Sequence, residues 1–120
     1  MRALVVDDSV AMRSILRVIL SESGFEVAEG ANGAHALEVL EGVGPVELML
    51  IDWNMPGISG LDLLRAIRED VRYRATKIMM VTTETDLTQV QEALRSGADE
   101  YMMKPFTREA AIEKLQLLGF

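Results

Sequence analysis

Cysteine is absent from this chain. That excludes disulfides, iron–sulfur clusters, thiolate zinc sites and a cysteine nucleophile. Histidine occurs once, at His35, so a multi-histidine metal centre is excluded too. No stretch approaches the roughly 18 uninterrupted apolar residues of a membrane span. Residues 1–6 carry one Arg and run straight into Asp7 and Asp8, which does not read as a signal peptide. Positive charge is scarce: 12 Lys and Arg stand against 19 Asp and Glu, a net −7. Such a surface repels nucleic acid, and no basic patch is visible to offset it. The expectation is a soluble cytoplasmic protein with neither a membrane nor a nucleic-acid partner.

What is present suits one globular domain over residues 1–120, with 49% apolar and 26% charged residues. Apolar runs at 3–6, 46–51 and 77–81 read as strands, with weaker ones at 25–28 and 100–103. Their continuous apolar character predicts strands covered on both faces. Segments with helical spacing lie between them. Ser9 reads as an N-cap before the stripe Ile15, Leu16, Ile19 and Leu20, which Gly24 stops. Ala34, Leu37 and Leu40 form a second stripe ending near Gly42, and Leu61, Leu64 and Ile67 a third. Asp86 and Gln89 read as a capping pair before Leu87, Val90 and Leu94, with Gly97 as the stop. Thr107 caps a last helix carrying Ala111, Leu115 and Leu118. The β-α unit thus recurs five times. This predicts an α/β three-layer sandwich with a parallel sheet; the flavodoxin-like (βα)5 fold and its order 2-1-3-4-5 are the known fold of this kind that the pattern fits. The fifth helix reaches the end of the chain, which leaves no room for an output domain.

In an open sheet of this kind the site lies beyond the carboxyl ends of the strands. Strand 1 ends in Asp7 and Asp8, strand 3 in Asp52, strand 4 in Thr82 and Thr83, and strand 5 in Lys104 and Pro105. Three carboxylates at one rim repel each other, so a pKa rises or a cation enters. An all-oxygen donor set favours a hard ion, and Mg2+ fits best. Three carboxylates, one magnesium and Lys104 sum to zero charge. A carboxylate beside such an ion can attack phosphorus and form an acyl phosphate. Asp52 is the expected nucleophile, because the adjacent Asp7 and Asp8 can share the ion. Any one of these acids alone reads as a turn or cap residue; their convergence with a lysine does not.

Together Val5-Val6-Asp7-Asp8-Ser9, Asp52-Trp53-Asn54-Met55-Pro56-Gly57, Val81-Thr82 and Lys104-Pro105-Phe106 resemble a response-regulator receiver domain over essentially the whole chain. Within that family, residues 52–56 and Tyr101 with residues 104–107 look most like the stand-alone chemotaxis regulators of the CheY type. CheY is itself an established example of the 2-1-3-4-5 order, which is therefore taken over from a known fold. The resemblance implies that Asp52 accepts a phosphoryl group from a histidine kinase. It implies magnesium on Asp8, Asp52 and the Asn54 backbone carbonyl, with Asp7 acting mostly through water. Thr82 and Lys104 would each hold a phosphoryl oxygen, and Tyr101 would be the switch partner of Thr82. Lys104-Pro105 would be a cis peptide, and the face of the fourth helix, fifth strand and fifth helix would present the signal. A monomer is expected, with a flagellar motor switch protein and a phosphatase as further partners.

The remaining residues read more plainly. Met49, Met79, Met80, Met102 and Met103 lie in strand runs and suggest core packing. Gly57 and Gly60 punctuate the loop after Asp52. His35 reads as solvated and mid-helix, and Arg65, Arg68, Arg72 and Arg74 as a solvated face. Trp53 follows the expected nucleophile and would report site events. Thr83 stands where many members of the family carry Ala or Gly, and could crowd the phosphoryl group. Glu84 could orient or exclude water there. Three other readings are open. A flavin carrier needs a phosphate loop after strand 1, where Asp7 and Asp8 would repel one. A magnesium-dependent phosphohydrolase usually places Asp-x-Asp on one strand and carries a lid. A relay intermediate with a non-motor target looks the same in sequence.

Overall fold

The computed structural model describes residues 1–83 and 86–120. Its elements alternate as β1 Arg2–Val6, α1 Val10–Glu22, β2 Glu26–Gly30, α2 Gly33–Val43, β3 Leu48–Asp52, α3 Gly60–Glu69, β4 Lys77–Thr82, α4 Leu87–Arg95, β5 Glu100–Met103 and α5 Arg108–Leu117. A 3-10 turn, Val71–Tyr73, links α3 to β4. The strands form one parallel sheet in the order β2-β1-β3-β4-β5. This is the expected fold.

Alternation along each strand splits the core in two. Leu4, Val6, Met49, Ile51, Ile78 and Met80 face α2, α3 and α4, where Ala36, Leu40, Leu63, Leu64, Ile67 and Ala93 meet them. Ala3, Val5, Leu48, Leu50, Met79 and Val81 face α1 and α5, against Leu16, Ile19, Leu20, Ala111 and Leu115. β3 is buried along its whole length, whereas the edge strands β2 and β5 are partly exposed. The helix starts follow the expected caps. The Ser9, Asp86 and Thr107 side chains accept backbone N–H groups from Met12, Thr88 and Ala110 respectively.

Several expectations about the apolar stripes need correction. Ile15 is 49% exposed, because α1 rests on the narrow row Leu16, Ile19 and Leu20. In α2 the buried row is Gly33, Ala36 and Leu40, which leaves Ala34 exposed. In α4 the buried pair is Val90 and Ala93, so Leu87 and Leu94 fall on the flank of that face and stay exposed. Met103 is exposed rather than packed. It ends the edge strand on the side opposite buried Met102. α2 ends at Val43, near Gly42 as expected, and Gly44, with a φ of +77, closes it. Phe25 and Val46 are buried but lie just outside their strands. His35 is exposed as expected, yet sits in the first turn of α2, where its Nδ1 accepts the Ala31 N–H at 3.0 Å. Arg68 is not a solvated residue. Its guanidinium donates to the Gly97 and Tyr73 carbonyls and pairs with Asp99 at 2.9 Å, tying α3 to the segments entering β4 and β5.

Gly60 positions α3 directly behind the end of β3. Its N–H donates to the Trp53 carbonyl at 2.9 Å, and a Cβ here would lie 2.2 Å from the Asp52 carbonyl oxygen. Neither backbone segment can yield cheaply. Gly60→Ala is expected to lower stability by about 1–3 kcal/mol in urea melts, as overpacking does. Gly42→Ala, on an exposed turn of α2 with nothing within 4 Å, is expected to raise stability by about 0.5–1 kcal/mol. Equal losses for both would mean that α3 does not approach β3 this closely.

Candidate functional site

Parallel strands deliver their last residues to one rim of the sheet. β1 leads into Asp7 and Asp8, and β3 ends in Asp52, two neighbouring strands with Val6 opposite Ile51. One carboxylate oxygen from each of Asp7, Asp8 and Asp52 lies within 4.8 Å of the others. Asp7 and Asp52 are buried, at 1% and 6% exposure, while Asp8 opens to solvent. Lys104 arrives from beyond β5. Its Nζ donates to Asp7 Oδ2 at 2.8 Å and lies 3.3 Å from Asp52 Oδ1. The four residues that sequence reasoning sent to this rim therefore meet.

The backbone holds them in place. The Asp7 N–H donates to the Gly30 carbonyl, and Asp7 Oδ1 accepts the Ser9 N–H at 2.9 Å. The Lys104 N–H donates to the Thr82 carbonyl at 2.7 Å, which seats the lysine across the end of β4. The Lys104–Pro105 bond is cis, as the resemblance implied. Asn54 is exposed on the loop after Asp52, and its backbone N–H bonds to the Asp52 carboxylate.

The electrostatics are unbalanced, with three carboxylates against one ammonium. Burial and then the charge of Asp7 push the Asp52 carboxyl above its ordinary value; Lys104 and the Asn54 N–H oppose this without cancelling it. Burial acts against the charged form of Lys104, but its hydrogen bond to Asp7 and the two carboxylates outweigh that and raise its pKa. A hard divalent cation fits this donor set. It would meet only oxygen ligands, and exposed Asp8 leaves a way in.

Thr82 is 1% exposed at the end of β4. Tyr101 is half-buried on β5, opposite Met80, and packs against the same core cluster. Residues 80 and 82 point to one side of the sheet, so Thr82 and Tyr101 share a face. Lys114 lies over the Tyr101 ring at 5.2 Å and pairs with Glu100 at 3.1 Å. Thr83 is exposed just past the strand, and Glu84 lies outside the described residues. Sequence reasoning missed Arg13, whose Nη1 donates to the Asp7 carbonyl at 2.7 Å. Nothing in the spacing of the chain singles it out from other helical arginines.

The family model for the response regulator receiver domain matches residues 3–116. The chain belongs to the response-regulator receiver family. It is 41% identical to Helicobacter pylori chemotaxis protein CheY1, over 98% of this chain and 96% of that protein. It is likewise 41% identical to Pseudomonas aeruginosa chemotaxis protein CheY, over 97% and 94%. Among solved structures, Vibrio cholerae CheY4 superposes with a TM-score of 0.89 at 34% identity, covering 97% of this chain and 96% of that one. A CheY-like receiver domain from Methanospirillum hungatei gives 0.87 at 31% identity, covering 98% and 91%. Among the described residues of this receiver domain, no helix is long and apolar enough to cross a membrane.

The raised Asp52 carboxyl has a consequence for stability. The folded state binds the Asp52 proton more readily than the unfolded state does. Asp52 therefore weakens the fold as pH rises from the ordinary carboxylate value through the raised one, and the deficit persists above it. Asp52→Asn is expected to melt at a higher temperature than wild type at neutral pH without metal. The gain should shrink on acidification below the ordinary carboxylate value. A variant that melts lower at neutral pH would contradict the crowding of the rim.

Proposed function

We propose that this receiver domain is a phosphoacceptor switch of a two-component system acting in chemotaxis. In the cytoplasm it would take a phosphoryl group from a histidine kinase onto Asp52 and thereby change its affinity for partners. The observation that carries this reading is the rim itself: three carboxylates within 4.8 Å, with Lys104 across Asp7 and Asp52. The names of the relatives supply the chemotaxis setting. By analogy with them the downstream partners are a flagellar motor switch protein and a phosphatase. Residues 1–120 act as one receiver unit.

In the step itself an Asp52 carboxylate oxygen attacks phosphorus. The bond from phosphorus to the donor's imidazole nitrogen breaks, and that nitrogen keeps the electron pair. The product is an acyl phosphate, which a water molecule later hydrolyses back to the carboxylate and inorganic phosphate. Asp8, Asp52 and the Asn54 backbone carbonyl would hold magnesium, with Asp7 acting mostly through water. When bound, the ion supplies positive charge that offsets the carboxylates and the incoming phosphoryl oxygens. Lys104 is already charged and held at the rim, so it can pair with one phosphoryl oxygen without moving far. The Thr82 hydroxyl takes another. Drawing Thr82 toward the phosphoryl group opens space on its side of the sheet. The Tyr101 ring on the same face fills that space. The phosphoryl group thus shifts the population toward a ring-in state and changes the surface of α4, β5 and α5.

Mass spectrometry after incubation with acetyl phosphate and magnesium tests this. Wild type should gain the mass of one phosphoryl group. Asp52→Asn should gain none, and a chelator should abolish the gain in wild type. Labelling of Asp52→Asn at the wild-type rate would move the acceptor elsewhere. Labelling unaffected by the chelator would remove magnesium from the reaction.

A further inference from the structure

The turn carrying Asp7 and Asp8 is braced by a charge pair that the phosphoryl chemistry does not use. Arg13 lies one turn into α1, with its side chain 14% exposed. Its Nη1 donates to the Asp7 carbonyl at 2.7 Å, and its Nε donates to Glu29 Oε1 at 3.0 Å. Glu29 stands on β2 opposite Val5, and its other oxygen holds Arg17 at 2.6 Å. The Asp7 N–H is bound by Gly30, the residue after Glu29. The main chain of Asp7 is thus held on both sides, by Arg13 at its carbonyl and by β2 at its N–H.

A cation in this place runs against two local rules. The positive end of the helix dipole disfavours it near the start of α1, which has no acid in its first turn. It also stands beside a rim that gathers a cation of its own. Glu29 answers both. It cancels the guanidinium charge and turns the fork so that a second N–H faces the Asp7 carbonyl. Burial works against an ionised Glu29, yet Arg17 and Arg13 together hold its carboxyl below the ordinary value. The guanidinium matters for its shape, since its fixed fork serves two acceptors in set directions and a lysine ammonium has no such fork.

We propose that Arg13 is a positioning residue for the cation site. Through the Asp7 carbonyl it fixes the direction in which Asp7 and Asp8 present their carboxylates, while Glu29 cancels its charge so that it does not repel the ion. This rests on the magnesium-dependent reading above. It also makes a prediction opposite in sign to simple electrostatics, because deleting a bare cation beside the rim would tighten magnesium binding.

The test is a magnesium titration followed by Trp53 emission, run beside the magnesium dependence of phosphoryl uptake from acetyl phosphate. Arg13→Ala should weaken magnesium about tenfold, as loss of a supporting shell around a metal site does. Uptake at saturating magnesium should stay near the wild-type rate. Arg13→Lys keeps the charge and much of the packing, and should remain weakened. Adding Glu29→Gln to Arg13→Ala should cost nothing further, since the two act through one contact. Unchanged or tighter binding in Arg13→Ala, or full recovery in Arg13→Lys, would overturn the proposal. A wild type that shows no response to magnesium in either readout would instead bring down the cation site, and this inference with it.

Discussion

Asp7 and Asp52 are confined almost without solvent around one lysine, with the carboxylate of Asp8 close by. Coulomb repulsion at such range is not screened by salt as it would be on an open surface. The fold does not relieve it, because β1 and β3 are adjacent and their ends cannot move apart without breaking the centre of the sheet. Lys104 answers part of the charge and burial worsens the rest. The site is therefore poised to gain from any arriving positive charge, and to lose from an arriving phosphoryl group unless positive charge is already there.

The surrounding scaffold reads as the means of keeping that arrangement fixed. Two hydrophobic layers grip the strands from both faces. Gly60 lets α3 start against the backbone of Asp52 and Trp53. Ser9 caps α1 and also donates its N–H to Asp7. Lys104 is held by the Thr82 carbonyl as well as by the carboxylates. That bond gives the rim a direct mechanical link to β4 and β5, where Thr82 and Tyr101 share a face.

The α/β class and the four charged rim residues were legible in the sequence for a physical reason, whereas the strand order came from a known fold. Continuous apolar strands alternating with amphipathic segments allow few architectures, and parallel strands send their last residues to one side. Strand ends therefore identified Asp7, Asp8, Asp52 and Lys104. What was not legible depended on details of packing. Leu87 and Leu94 sit at helical spacing with Val90, but small Ala93 lets α4 roll so that they stay exposed. Met103 follows Met102 in an apolar run, yet pleating turns it to the opposite side, at the last residue of an edge strand, where it stays exposed. Arg68 read as surface charge because the Gly97 carbonyl it binds lies 29 residues along the chain, and no local pattern encodes such a partner. Arg13 drew no reading, although its partner, the Asp7 carbonyl, is only six residues away, because a lone helical arginine carries no signal of what it binds.

The most direct test of the crowded rim is to follow the aspartate carboxyl carbons by NMR through a pH titration, without and with magnesium. The account requires that the Asp52 carboxyl titrate above an ordinary aspartate in metal-free protein, and that magnesium bring its titration down. An Asp52 that titrates normally and ignores magnesium would contradict it.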